Sequence, residues 1–342
     1  MNEDSVPSSL PAVLTPLPAS QQPAWDRAPS RTSQVVCGAL RVSLRPIMHR
    51  VPGRPLPIRA ARAAIDRAAL LIPTGPRVRV ERVRDPQLAS GHVMKAEWII
   101  PEDSDGSAAV LYLHGGGYVI CSPRTHRPIT SRLATDTGLP VLAPRYRLAP
   151  EHPFPAALED AVEAYRWLLA RGHTRIIVAG DSAGGHLAAS LAGEISRTDL
   201  PSPAGVVLYS PWVDLTCETS TVWDHLVRDP YLSGRAAQRV GRLVAGKVID
   251  PRLALLTCDW GSLPPFLIQV GGAEVLRPEA EVLADVLRAA GADVDLQVWP
   301  GQMHVFQFLN RFVPEADAAM RETSAFIATA LAAAPTTLTI VA

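Results

Sequence analysis

From residue 108 onward, short runs of continuously apolar residues alternate with longer segments in which apolar positions recur every three or four residues. The short runs are 108–113, 140–143, 176–179, 205–209 and 266–270, an apparent last strand follows at 294–298, and helical patterns fall at 156–170, 186–196 and 278–290. A run of four to six apolar residues bounded by turn residues reads as a strand buried on both faces. Such strands alternating with helices predict a mostly parallel sheet with helices on both sides. Upstream the period is two: Val78, Val80 and Val83 alternate with Arg79 and Arg82, and 93–100 reads as a second half-buried strand. Further upstream, Leu40, Val42, Leu44 and Ile47, then Ile58, Ala61, Ile65 and Ala69, predict two amphipathic helices parted near Pro52-Gly53-Arg54-Pro55. Residues 1–35 are rich in Pro, Ser, Ala and Gln, with Trp25 the one aromatic, and are expected to form a disordered tail.

The expected organisation is a tail at 1–35, N-terminal cap helices at 36–74, an α/β core at 75–211 and 251–342, and a cap insertion at 212–250. Composition narrows the functions this architecture can serve. The chain has 342 residues with 33 basic and 33 acidic side chains, so it offers no broad electrostatic grip on nucleic acid. The N-terminus is acidic, the next apolar stretch is broken by Pro11, Pro16 and Pro18, and no run approaches about eighteen apolar residues. A cytoplasmic protein with no membrane span is expected. The four cysteines, Cys37, Cys121, Cys217 and Cys258, have no zinc or redox spacing and read as reduced thiols.

Chemistry is concentrated in a few motifs. Gly180-Asp181-Ser182-Ala183-Gly184, followed by Gly185, lies between the strand at 176–179 and the helix at 186–196. That strand–turn–helix setting holds a serine hydroxyl above a sheet, on a turn whose flanking glycines allow close approach. His114-Gly115-Gly116-Gly117-Tyr118 directly follows the strand at 108–113. Its bare amides suit a carbonyl oxygen that becomes negative during attack, and no phosphate-loop motif accompanies it. A serine needs a base, and the base needs an acid to orient it. His304, in the loop after the last strand, is the candidate base. Glu274, in the loop after the strand at 266–270, is the candidate acid, with Asp214 and Asp285 as less well placed fallbacks. The order Ser182, Glu274, His304 is that of the α/β-hydrolase fold.

Taken with Tyr146-Arg147-Leu148-Ala149-Pro150-Glu151-His152-Pro153-Phe154-Pro155-Ala156, these motifs resemble the hormone-sensitive-lipase-like α/β hydrolases, also called bacterial family IV esterases. The resemblance covers about residues 75–330. It implies an α/β-hydrolase fold with a helical cap, a serine carboxylesterase, no metal and no organic cofactor. It also implies oxyanion donors at the amides of Gly115, Gly116 and Ala183, with His114, Gly117 and Asp181 as supporting positions. Two features depart from the family: Glu274-Val275-Leu276-Arg277 carries Glu where Asp is usual, and the Pro-rich tail is additional.

The insertion at 212–250 holds Trp212, Tyr231 and Leu232, which with Tyr118 either line a substrate pocket or form cap core. Hydrolysis of short- to medium-chain or small secondary-metabolite esters is the leading expectation. Lactone opening, acetyl-amide hydrolysis or acyl transfer would use the same three residues, and a non-catalytic ligand receptor on this fold is a remote alternative. A small-molecule ester is the expected partner, and a homodimer through the last strand and helix is a further expectation.

Overall fold

In this computed structural model the described residues are 23–50, 55–71, 75, 77–85, 93–104, 106, 108–245 and 250–334. Helices α1 (Arg31–Ser43), α2 (Arg45–His49) and α3 (Pro55–Ala68) precede the sheet. There follow β1 (Val78–Asp85), β2 (Met94–Pro101), β3 (Ala108–Leu113), α4 (Arg127–Thr137), β4 (Val141–Pro144), α5 (Ala156–Ala170), β5 (Arg175–Asp181) and α6 (Ala183–Ile195). The remainder is β6 (Gly205–Tyr209), α7 (Glu218–Val227), α8 (Gly234–Ala245), β7 (Phe266–Gly271), α9 (Arg277–Ala289), β8 (Val294–Trp299) and α10 (Pro314–Ala333).

The eight strands form one sheet in the order β1-β2-β4-β3-β5-β6-β7-β8. Pairing is antiparallel from β1 through β4 and parallel from β4 to β8. This is the mostly parallel sheet expected from the apolar runs. Every residue of β3, β4, β6 and β7 is buried, because helices cover both faces there. β1 lies at one edge and alternates between partly buried and exposed positions.

The order places the chemistry. From β3 the chain steps outward to β4, then returns to the other side of β3 to form β5, so strand order reverses between β3 and β5. Loops at the carboxyl ends of strands flanking such a reversal open into a shared crevice. Leu113 is in register with Gly180, Asp181 with Tyr209, Tyr209 with Gln269, and Gly271 with Trp299. The segments after β3, β5, β6, β7 and β8 therefore emerge side by side along one edge.

One expectation is corrected. Residues 1–22 lie outside the described residues, but 23–35 are ordered and packed, contrary to a disordered tail reaching residue 35. Ala24–Asp26 forms a turn against β8, with Trp25 packed on the cluster of Trp299, Met303 and Phe306. Ser30 caps α1 by accepting from the Ser33 amide at 3.1 Å, and its hydroxyl donates to Glu315 at the start of α10 at 3.0 Å. Ser33 is buried and donates to Gln302 Oε1 at 3.0 Å. Composition misled here because a few anchors, not average polarity, decide whether a short segment docks. Removing residues 1–35 is accordingly expected to lower the Tm by roughly 5 °C or more, read by thermal circular dichroism. An unchanged Tm would mean these contacts contribute nothing.

Candidate active site

Ser182 sits at the N-terminal end of α6 with φ 53° and ψ −120°, a backbone conformation that a non-glycine residue rarely adopts. It persists because the surroundings hold it: the Ser182 amide donates to Tyr209 O at 2.9 Å, and Ser182 O accepts from Trp212 N at 2.9 Å. A Cβ on Gly180 would fall 2.2 Å from Gly184 O, and one on Gly184 would fall 2.0 Å from Leu113 O. The sequence needs glycine at both positions because β3, β5 and α6 meet there backbone to backbone.

The glycine loop is fixed by the neighbouring acid. Asp181 is buried; its Oδ1 accepts from Tyr112 OH at 2.7 Å and from Gly115 N at 3.0 Å, and its Oδ2 lies 3.2 Å from His126 Nε2. Burial opposes a charge on Asp181, but His126 and Tyr112 outweigh it and hold the carboxyl below its usual value. The Gly115 amide is thereby spent, which corrects its expected place among the oxyanion donors. The amides of Gly116, Gly117 and Ala183 donate no hydrogen bond within the described residues. Gly116 has φ +109°, and a Cβ there would lie 2.3 Å from Ile120 O, so this reversal of the loop requires glycine.

His114 is wholly buried, with Nδ1 2.8 Å from Gly115 O and its ring stacked 4.3 Å from Tyr146. Desolvation, then His126, pushes its pKa down to about 3, so it stays neutral as a loop support.

Across the crevice, His304 Nε2 stands 2.9 Å from Ser182 Oγ. Its Nδ1 faces Glu274 Oε1 at 3.6 Å, close enough for charge attraction though longer than a hydrogen bond. Neither atom has another partner among the described residues, so nothing competes for the contact. Glu274 is completely buried, and its Oε2 accepts from Ser210 OH at 2.6 Å and from Gly271 N at 3.0 Å. Ser210 Oγ in turn accepts from Val305 N at 3.0 Å, tying the acid loop to the residue after His304. Burial pulls the His304 pKa down, yet Glu274, followed by Asp229 and Asp181, raises it above the ordinary histidine value.

The three residues singled out from sequence thus converge at the carboxyl edge of the sheet. The fallback acids do not: Asp214 accepts from Thr216 N and Oγ1 at 2.8 and 2.6 Å, and exposed Asp285 pairs with Arg288. Tyr118, expected in the pocket wall, is 1% exposed and its hydroxyl is 2.7 Å from His186 Nδ1, which places it in the core behind the glycine loop. Trp212 is buried with its ring between Gly117 and Gly241, and its Nε1 donates to Cys217 Sγ at 3.0 Å. Leu232 is partly buried against the core, and Tyr231 OH donates to His304 O at 2.9 Å. Ser210 and Asp229 were not singled out from the sequence. Ser210 directly follows a predicted strand, at a position where side chains enter the crevice, and that was the available signal.

Comparisons with known proteins identify the family to which the fold belongs. A family model described as the alpha/beta hydrolase fold matches residues 110–308. The chain is similar to an acetyl-hydrolase of Streptomyces hygroscopicus, 42% identical over 241 residues, which are 69% of this chain and 80% of that protein. It is 38% identical over 254 residues to the carboxylesterase/phospholipase LipF of Mycobacterium tuberculosis, covering 71% of this chain and 68% of the relative. A solved esterase of the bacterial hormone-sensitive lipase family superposes with a TM-score of 0.78 at 35% identity, covering 89% of this chain and all of the other.

The electrostatics of His304 can be measured directly. Its ring is expected to titrate above about 6.5 by NMR, and Glu274→Gln is expected to lower that value by removing the largest raising charge. A ring that titrates below 6.5 in the unmodified protein would contradict the carboxylate's influence.

Proposed function

Because this chain belongs to the α/β-hydrolase family, in its hormone-sensitive-lipase-like branch, we propose that Ser182, His304 and Glu274 act as nucleophile, base and acid in ester hydrolysis. The protein is a serine carboxylic-ester hydrolase, and the proposal concerns which residues perform each step. The 2.9 Å approach of His304 Nε2 to a serine hydroxyl held on a strained turn is the observation that carries it.

With Glu274 facing Nδ1, the neutral imidazole keeps its proton on that nitrogen and offers the Nε2 lone pair to Ser182. Ser182 Oγ attacks the ester carbonyl as its proton passes to Nε2, and the imidazolium formed is stabilised by Glu274. The carbonyl oxygen becomes an oxyanion beside the amides of Gly116, Gly117 and Ala183, at the positive end of α6. His304 then donates its proton to the leaving alkoxide, leaving an acyl-enzyme and a free alcohol. Water, deprotonated by the same imidazole, attacks the acyl carbon and releases the acid and Ser182.

α1–α3 and the insertion carrying α7 and α8 form a cap over this edge. Supporting that reading, Arg45 of α2 pairs with Asp224 at 2.7 Å, His49 Nδ1 lies 2.9 Å from Ser233 Oγ, and Arg239 donates to His49 O at 2.7 Å. Trp212 and Val240, both against Gly117, narrow the space beside the oxyanion amides and favour short acyl chains. One relative is an acetyl-hydrolase, and an acetyl ester fits this restricted site. The four unpaired cysteines fit a reducing cytoplasm.

A fluorophosphonate is expected to label Ser182, and Ser182→Ala is expected to lower kcat on p-nitrophenyl acetate by at least about a thousandfold while the fold persists. Turnover retained by a folded Ser182→Ala protein would place the nucleophile elsewhere. Trp212→Ala is expected to move the best p-nitrophenyl ester from acetate or butyrate toward longer acyl chains. An unmoved chain-length profile would remove Trp212 from the acyl site.

A further inference from the structure

Between α7 and α8, the segment Asp229-Pro230-Tyr231-Leu232 reaches out of the insertion toward both loops of the site. Asp229 is completely buried and its side chain meets no arginine or lysine among the described residues. An ionised carboxylate in that position is costly unless hydrogen bonds compensate. Its Oδ1 accepts from the amides of Tyr231 and Leu232, each at 2.8 Å, and these two bonds shape its own turn. Its Oδ2 accepts at 2.8 Å from the amide of Val275, 46 residues away and next in sequence to Glu274. Two residues on, Tyr231 OH donates to His304 O at 2.9 Å, and the two rings lie 6.0 Å apart. The segment is anchored from behind by Arg45 of α2, which donates to Asp229 O and to Leu232 O.

We infer that Asp229 is a positioning residue of this site, holding the Glu274 loop through Val275 and the His304 loop through Tyr231, and placing a second negative charge near the imidazole. A carboxylate that only closed its own turn would have no use for the third bond, and that bond ends on the loop bearing the acid. Glu274 does not make a full hydrogen bond to His304, so the position of its loop decides how close the two come. The charges around the imidazole are Glu274, Asp229 and, with the smallest effect, Asp181; the groups around Asp229 are His304, Tyr231 and the Arg45 guanidinium at its carbonyl. Desolvation pushes Asp229 up to about 6, against the opposing pull of His304 and the three amides, so its charge is sensitive to this environment.

The inference rests on the triad reading given above, and the experiment separates the two. Measure kcat and KM on p-nitrophenyl acetate against pH for the full chain and for Asp229→Asn, Asp229→Glu, Tyr231→Phe and Ser182→Ala, each with its Tm. In Asp229→Asn, kcat is expected to fall about 10- to 100-fold with KM within about twofold. The acid limb of kcat/KM is expected to move to lower pH, because a neighbouring negative charge raises the His304 pKa and its removal lowers it. Asp229→Glu restores the charge and is expected to return the limb. Tyr231→Phe is expected to lower kcat severalfold without moving the limb, since no charge is lost. An unmoved limb in Asp229→Asn, or a loss residing in KM, would overturn the inference. If that variant does not fold, Tyr231→Phe decides, and an unchanged kcat would overturn it. Activity surviving in Ser182→Ala would instead condemn the triad assignment.

Discussion

The site depends on one close approach: β3, β5 and the start of α6 touch through bare backbone. No side chain fits between Gly184 and Leu113 O, or between Gly180 and Gly184 O. That contact forces Ser182 into its strained turn, and it sets the glycine loop after β3 beside the serine rather than a strand's width away. The strain at Ser182 costs on the order of 1–3 kcal/mol, which the packed sheet around it offsets. Because the contact is made of backbone, it aims the amides of the loop and of α6 into the same space without relying on flexible side chains.

Around this contact, three buried carboxylates fix the loops of the site. Asp181 binds Gly115 N and orders the glycine loop; Glu274 binds Gly271 N and Ser210 and orders the acid loop; Asp229 binds Val275 N and joins the insertion to that loop. Each meets at least two donors, as burial of a carboxylate requires. The chain is electrically neutral overall, so this negative charge is a local arrangement. It converges on His304, the residue proposed to hold a proton transiently.

What was legible in the sequence follows from how local each signal is. The Gly180–Gly185 turn and the His114–Gly117 loop are contiguous, and the strands before them are unbroken apolar runs, so residues and setting could be read together. Glu274 and His304 were found through their place after predicted strands. That the Gly115 amide turns to Asp181 was not legible, because the direction of an amide depends on the +109° φ of Gly116 and on the reach of Asp181. Ser210 and Asp229 carry no local motif; their importance comes from partners 64 and 46 residues away. The ordering of residues 23–35 was hidden likewise, since it depends on Gln302 and Glu315 near the far end of the chain.

The histidines show why these long-range partners matter. His114, His186 and His304 are all deeply buried, and desolvation alone would depress all three. His114 falls to about 3 and His186 to about 4, so both remain neutral and serve as hydrogen-bonding supports. His304 alone moves the other way, because Glu274 faces its Nδ1 and Asp229 adds to the field. Glu274 can do this despite its extra methylene because Ser210 and Gly271 N fix one oxygen and leave the other free to face the ring. The raised pKa of His304 is therefore made by its carboxylate neighbours, and those neighbours are held by backbone amides of the acid loop and of the insertion.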